Sequence, residues 1–275
     1  MKDGLMEGKV VLVTGSTDGI GKQTALSIAQ MGPRVLLHGR NAEKGRRVTE
    51  EIRQKSGNDR IEFFLADLSS QMEVHRLAAE VEEEHERLDV LVNNAGVFMK
   101  ERRLTADGIE TTFAVNHLAP FLLTKLLLVL LKKSAPSRIV TVSSIAHRDA
   151  HVDWSNLQGE RRFDGYEAYA TSKLGNLLFT YELSRRLKGS GIDANALHPG
   201  VVRTKLLRAG FGDYPGDDPK TGAKTSILLA TSPELEGESG LYFERSQPAA
   251  SSPLSRDRAL QKRFWDISEK LVGLG

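Results

Sequence analysis

Val10-Val11-Leu12-Val13-Thr14, followed at once by Gly15-Ser16-Thr17-Asp18-Gly19-Ile20-Gly21, is the stretch from which the fold is read. Its first part is a continuous apolar run, the pattern of a parallel strand covered on both faces. Glycines then crowd the turn that should open a helix. There they let backbone N–H groups approach an anion at the positive helix end, and a pyrophosphate is the anion such turns cradle. By itself, a glycine-rich turn is also simply a flexible connection.

The same unit recurs along the chain. Residues 34–38 read as a second strand and 42–55 as a charged helix. Residues 61–65 give a third strand leading to Asp67, and Ser70-x-x-Glu73 reads as a capping box opening a helix to about Arg87. Residues 88–92, 138–143 and 193–197 supply further strands, and 241–243 a seventh. Long helices are expected at 111–132, 167–188 and 219–230, a loop or lid at 210–219, and a Pro/Ser-rich stretch at 246–255 before a terminal helix. Strict alternation predicts an α/β fold: a Rossmann-type, doubly wound parallel sheet of about seven strands with helices on both faces. With 275 residues the chain suits a single domain. Its nucleotide-binding half is expected at about 9–145 and its catalytic and substrate half at about 146–275.

The net charge of +2 gives no electrostatic reason to expect nucleic acid or a charged membrane surface. Cysteine is absent, which removes disulfides, thiol nucleophiles and thiolate metal sites and agrees with a cytoplasmic location. The first eight residues lack a signal-like apolar core. The most apolar window, 118–131, is interrupted by Lys125 and falls short of a bilayer span, so a buried helix is expected rather than a membrane span.

Three places stand out chemically. Tyr169 and Lys173 are four apart, so on a helix they share a face. An ammonium about 4 Å from the phenol is worth about 4 kcal/mol at an effective dielectric of about 20. That would bring a phenol of pKa ~10 down by about three units, towards the working range. Ser144 ends a strand at its carboxyl end, where ligands of such sheets bind, with Ser143 as its rival. After the second strand stands Gly39 and then Arg40, with no carboxylate to hold a ribose 2′-hydroxyl; a guanidinium there favours a 2′-phosphate, hence NADP(H) over NAD.

Gly-x-x-x-Gly-x-Gly after the first strand, Asn93-Asn94-Ala95-Gly96 after the fourth and Tyr169-x-x-x-Lys173 together resemble the short-chain dehydrogenase/reductase family, over roughly 9–243. The long gap from Ser144 to Tyr169, Ala146-His147, Asp107-Gly108, Asn116-His117-Leu118 and Ser172-Lys173-Leu174 resemble its retinol dehydrogenase-like branch. The resemblance implies an alcohol–carbonyl oxidoreductase with Asn116, Ser144, Tyr169 and Lys173 as catalytic residues. Asn116 would sit at a helix distortion from which water connects the lysine to solvent. Gly15 to Gly21 (with Ser16, Thr17, Asp18, Gly19 and Ile20) would hold the pyrophosphate, Asp67 and Leu68 the adenine. Asn94, Ala95 and Gly96 would lie by the ribose, which Lys173 and Tyr169 also reach, with Asn93 structural. In His198-Pro199-Gly200-Val201-Val202-Arg203-Thr204, Pro199, Gly200 and Val202 would shape the nicotinamide turn. Thr204 would bind the carboxamide, or else cap the following helix.

Val97, Phe98, Leu206, Leu207, Phe211 and Tyr214 are candidates for an apolar pocket, which fits a lipophilic aldehyde or ketone. Microsomal relatives of that branch usually carry a membrane anchor, which is not expected here. His147 and His151 stand four apart, a metal-chelating spacing, but without further ligands they read as surface histidines and no metal is expected. The resemblance also implies a homodimer or homotetramer paired through the helices at 111–132 and 167–188. The alternative to an enzyme is an NADP-binding sensor with little turnover.

Overall fold

The computed structural model describes residues 5–274. Strands β1 (Val10–Val13), β2 (Arg34–Gly39), β3 (Ile61–Leu65), β4 (Val90–Asn93), β5 (Ser137–Val142), β6 (Ile192–His198), β7 (Tyr242–Glu244) and β8 (Gln247–Pro248) form one sheet in the order β3-β2-β1-β4-β5-β6-β7-β8. All neighbours are parallel except β7 and β8. After β3 the chain crosses back to the other side of β1. That reversal is the switch point at which a doubly wound sheet opens a crevice beyond its strand ends.

Helices α1 (Gly19–Ala29), α2 (Ala42–Ser56), α3 (Gln71–Glu84), α4 (Thr111–Phe113), α5 (Ala119–Lys133), α6 (Gly165–Arg186), α7 (Lys205–Phe211), α8 (Pro219–Thr231) and α9 (Arg258–Leu271) flank the sheet. Two hydrophobic cores follow from the strand alternation. Leu12, Leu36, Leu91 and Ile139 point to the side of α3, α5 and α6, whereas Val11, Val13, Val35 and Val140 point to the side of α1 and α8. Both faces are filled, as the unbroken apolar strand required.

Three expectations are corrected. The sheet has eight strands, not about seven: Arg245 and Ser246 both take positive φ (49° and 63°) and fold Gln247–Pro248 back onto β7. Such tight hairpin turns usually announce themselves by Asn-Gly or Asp-Gly, and this one does not.

The helix expected at 111–132 is instead α4, a π-helical turn at Ala114–Leu118, and α5. Pro120 has no N–H to offer the carbonyl of Asn116, and the ladder widens so that Ala119 N–H bonds Ala114. Counted through that turn, 111–133 is long and apolar enough to cross a membrane by composition, but most of its apolar window is buried inside the protein.

The region expected as a loop from 210 is partly helical, because α7 runs through Gly210 to Phe211.

In α6, one of the helices through which the resemblance implies pairing of copies, Tyr169 to Leu183 is buried without a break, between the sheet on one side and α9 on another. Trp265 stacks on Phe179 (ring centroids 5.9 Å apart), meets Phe121 edge-on, and carries the Arg186 guanidinium 4.2 Å from its ring.

Candidate active site

The glycine turn sits where β1 meets the switch point. Gly15 has φ 64°, a conformation that side chains with a Cβ resist. A Cβ on Gly21 would stand 2.3 Å from Asn94 Nδ2 and 2.5 Å from Gly15 O, so the first turn of α1 packs on the strand ends only as glycine. Asn94 closes the switch point: its Nδ2 donates to Thr14 O at 2.8 Å and its N–H to Thr14 Oγ1 at 2.9 Å. Asn93 turns inward, donating to Thr124 Oγ1 at 3.0 Å, the structural role expected.

A cleft of about 610 Å³ opens above these ends. It gathers the glycine turn, Thr17, Asp18, Ile20, Arg40, Asp67, Leu68, Asn94, Ala95, Gly96, Ser144, Tyr169, Lys173, Pro199, Gly200, Val202 and Thr204. Two expected residues are not in its wall. Ser16 is buried, its hydroxyl accepting from His38 N–H at 2.9 Å, because the turn needs it to hold β2. Asn116 lies a layer behind, in the π-helical turn. Its Oδ1 accepts from Val97 N–H (2.8 Å) and its Nδ2 donates to Val97 O (3.0 Å) and Ser172 Oγ (3.1 Å). It therefore shapes the cleft floor rather than touching what binds there.

Both serines border the cleft, and what their hydroxyls do separates them. Ser143 is buried and donates to Lys173 O at 2.7 Å. Ser144 is half-buried at the cleft, and its hydroxyl accepts from Ala146 N–H at 3.3 Å, which leaves its own hydrogen unspent. Lys173 Nζ donates to Val142 O at 3.1 Å and stands 5.6 Å from the Tyr169 ring centroid.

Electrostatics overturn one expectation. Burial raises the Tyr169 phenol to about 12, against the lowering effect of Ser144, and burial drops Lys173 to about 8. Burial of the phenol outweighs the lowering expected from the ammonium, which donates to the Val142 carbonyl. The same burial keeps the phenol protonated.

The residues present fit a dinucleotide. The N-terminus of α1, with no acidic residue in its first helical turn, faces the cleft. Burial alone would raise the N-cap carboxylate of Asp18, but hydrogen bonds from Lys44 (2.6 Å) and Lys205 (3.0 Å) outweigh it and hold the group at about 2. The two lysines thus offset the negative charge beside an anion site. Arg40 is exposed at the cleft beside Gly39. Asp67 lines the cleft and, as a turn residue, accepts from Ser69 N–H at 2.9 Å. Thr204 likewise lines the cleft and caps α7, accepting from Leu207 N–H at 3.2 Å; its own hydroxyl hydrogen is not spent on that cap.

Of the apolar candidates, Val97, Leu206, Leu207, Phe211 and Tyr214 line the cleft, joined by Tyr166. Phe98 stands behind them, packed between Tyr169 and Phe211 at centroid distances of 5.5 Å each.

Three histidines were missed or misread. His38 is buried and ties the glycine turn to its neighbours: Gly15 N–H donates to its Nδ1 at 3.0 Å, and its Nε2 meets Ala66 O at 3.1 Å. His147, expected at the surface, is fully buried with both ring nitrogens hydrogen-bonded, which leaves neither free for a metal. His198 lines the cleft. Apart from Ser144 O, three residues before His147, their partners are backbone groups distant in the chain, which no local pattern marks.

A family model for short chain dehydrogenase matches residues 9–213. Retinol dehydrogenase 11 of Homo sapiens is 44% identical over 277 residues, covering 98% of this chain and 87% of that protein. Retinol dehydrogenase 14 of Mus musculus is 40% identical over 295 residues, covering 98% and 88%. Among solved structures, an uncharacterized protein from Mycobacterium paratuberculosis is similar with a TM-score of 0.83 and 31% identity, over 98% of this chain and 94% of that one. A short chain dehydrogenase from Escherichia coli complexed with NADPH is similar with a TM-score of 0.74 and 28% identity, over 90% and 100%.

Proposed function

This chain belongs to the short-chain dehydrogenase family, in its retinol dehydrogenase-like branch, and from that premise we propose that it uses NADP(H) to reduce a lipophilic aldehyde or ketone to the alcohol. The observation that carries the reading is the meeting of Tyr169, Ser144 and Lys173 on one wall of the cleft that the glycine turn opens.

Bound there, the reduced nicotinamide supplies a hydride to the carbonyl carbon. Ser144 Oγ hydrogen-bonds the carbonyl oxygen as negative charge develops on it. Tyr169, held protonated by its burial, donates its proton to that oxygen. Lys173, charged below about 8, offsets the phenolate left behind and hydrogen-bonds the ribose. The Thr204 hydroxyl would hold the carboxamide and so orient the nicotinamide. Arg40 takes the 2′-phosphate; Gly39 beside it leaves no carboxylate to repel one. Leu206, Leu207, Phe211 and Tyr214 give the substrate an apolar wall and exclude water. Asn116 supports the site from behind, through Val97 and Ser172. The two halves of the domain divide at about 145, where Ser144 closes the nucleotide side. A cytoplasmic location stays part of this reading, tested by cell fractionation.

Stopped-flow NADPH oxidation with a panel of aliphatic and aromatic aldehydes tests the proposal. Turnover with NADPH preferred over NADH is expected. Tight NADPH binding with no turnover on any aldehyde would instead support a sensor, and a preference for NADH would remove the role of Arg40.

A further inference from the structure

The residue that must be held still in this site is Ser144, and its own bonds do little to hold it. Ser144 stands at the end of β5 in extended conformation (φ −157°, ψ 158°), and its hydroxyl accepts a long 3.3 Å bond from Ala146 N–H. The peptide that follows it, from Ser144 C=O to Ile145 N–H, is gripped at both ends. His147 Nδ1 lies 2.7 Å from the Ser144 oxygen. Ile145 N–H donates to His198 Nδ1 at 3.2 Å. A peptide is a rigid plane, so fixing its oxygen and its nitrogen fixes the rotation about the Ser144 Cα–C bond. With β5 holding the other side, the Cα–Cβ bond that carries the hydroxyl is fixed as well.

We propose that His147 and His198 are positioning residues that clamp the Ser144–Ile145 peptide and so aim the Ser144 hydroxyl at the substrate oxygen. The inference rests on the oxidoreductase reading above.

Two features make the clamp specific. The partners are backbone groups, so the roles are forced. A carbonyl only accepts, so His147 Nδ1 carries the hydrogen; Ser252 N–H donates to His147 Nε2 at 3.1 Å, so that nitrogen is bare. His198 is the opposite: Nδ1 is bare to accept from Ile145, and its hydrogen belongs on Nε2. The rings themselves are also anchored. His147 is fully buried and meets the Tyr242 ring edge-on at 5.2 Å, while His198 ends β6 in register with Glu244 of β7. The stretch after β8 therefore reaches the catalytic serine through one imidazole, via Ser252.

The test uses the full chain with alanine and asparagine at each position. Asparagine at 147 keeps a donor near where Nδ1 stood, and asparagine at 198 keeps an acceptor. His147→Ala is expected to lower kcat by about 100-fold, the scale of a misplaced catalytic group, with KM for NADPH and NADPH affinity unchanged. His147→Asn and His198→Asn should recover most of the loss seen in their alanine counterparts. A purely structural histidine would lower NADPH affinity along with turnover, and that result, or wild-type kcat in His147→Ala, overturns the proposal. Should the alanine variants fail to fold, 15N NMR of the wild-type rings decides: His147 protonated on Nδ1 and His198 on Nε2 is required, and the reverse at either ring refutes the clamp. If no aldehyde is turned over while those tautomers are found, the oxidoreductase reading fails and takes the catalytic role of the clamp with it, while the two imidazole bonds to the peptide stand.

Discussion

Replacing His38 with asparagine should flatten the acid limb of the protein's stability curve by a calculable amount. His38 is pushed from its ordinary 6.5 down to about 4, chiefly by burial, against the opposing effects of the Ala66 carbonyl and the Asp67 charge. A base with a lowered folded-state pKa binds fewer protons folded than unfolded. Its contribution is therefore whole above 6.5 and is lost as pH falls towards about 4. At about 1.36 kcal/mol per unit the full gap is worth about 3 kcal/mol, of which about 2.5 kcal/mol is gone between pH ~7.5 and ~4.5. Asparagine keeps an acceptor near Nδ1 for Gly15 N–H but strands the buried Ala66 carbonyl, costing about 1–3 kcal/mol at every pH. Urea unfolding of both proteins from pH ~7.5 to ~4.5 reads the difference directly. His117 and His198, also lowered by burial (to about 3 and about 4), titrate alike in both proteins and cancel. The wild type should lead at neutral pH and lose its lead in acid. Curves that stay parallel would refute the claim that His38 is held neutral beneath the glycine turn.

Tyr169→Phe should lower reduction by about 10²–10⁴-fold while NADPH binding, followed by fluorescence, survives; retained turnover would assign the proton to another group. Because burial sets Lys173 at about 8, reduction should fall as pH rises above that value and the ammonium is lost; a rate that stays flat up to pH ~10 would deny the lysine its electrostatic role. Arg40→Ala should weaken NADPH by about 1.5–3 kcal/mol, on the order of tenfold to a hundredfold in Kd, and leave NADH unaffected; an equal loss for both would mean that Arg40 does not contact the 2′-phosphate. Removing residues 258–275 should uncover the apolar face of α6 now under Trp265 and drive self-association visible by light scattering. A truncated chain of unchanged mass would show that α9 is not what covers a pairing face.

What the sequence determined by itself was whatever depends on neighbours along the chain. The apolar run at Val10–Val13 has to be a strand covered on both faces, and the glycines after it have to close a turn against a helix end. Tyr169 and Lys173 share a face because four residues make one helical turn. The missing carboxylate after β2 is likewise a fact of order.

What only the tertiary structure decided depends on groups distant in the chain. Ser143 and Ser144 are indistinguishable until Lys173 O takes one of them. Asn116 leaves the cleft because the π-helical turn aims it at Val97. The signs of the Tyr169 and Lys173 shifts follow from burial, which neither residue's neighbours in sequence reveal. His38 and His198 gain their places from backbone groups distant in the chain, and His147 is tied to one through Ser252 N–H. Backbone N–H and C=O groups are the same at every residue, so no pattern of side chains announces which of them a buried imidazole will meet.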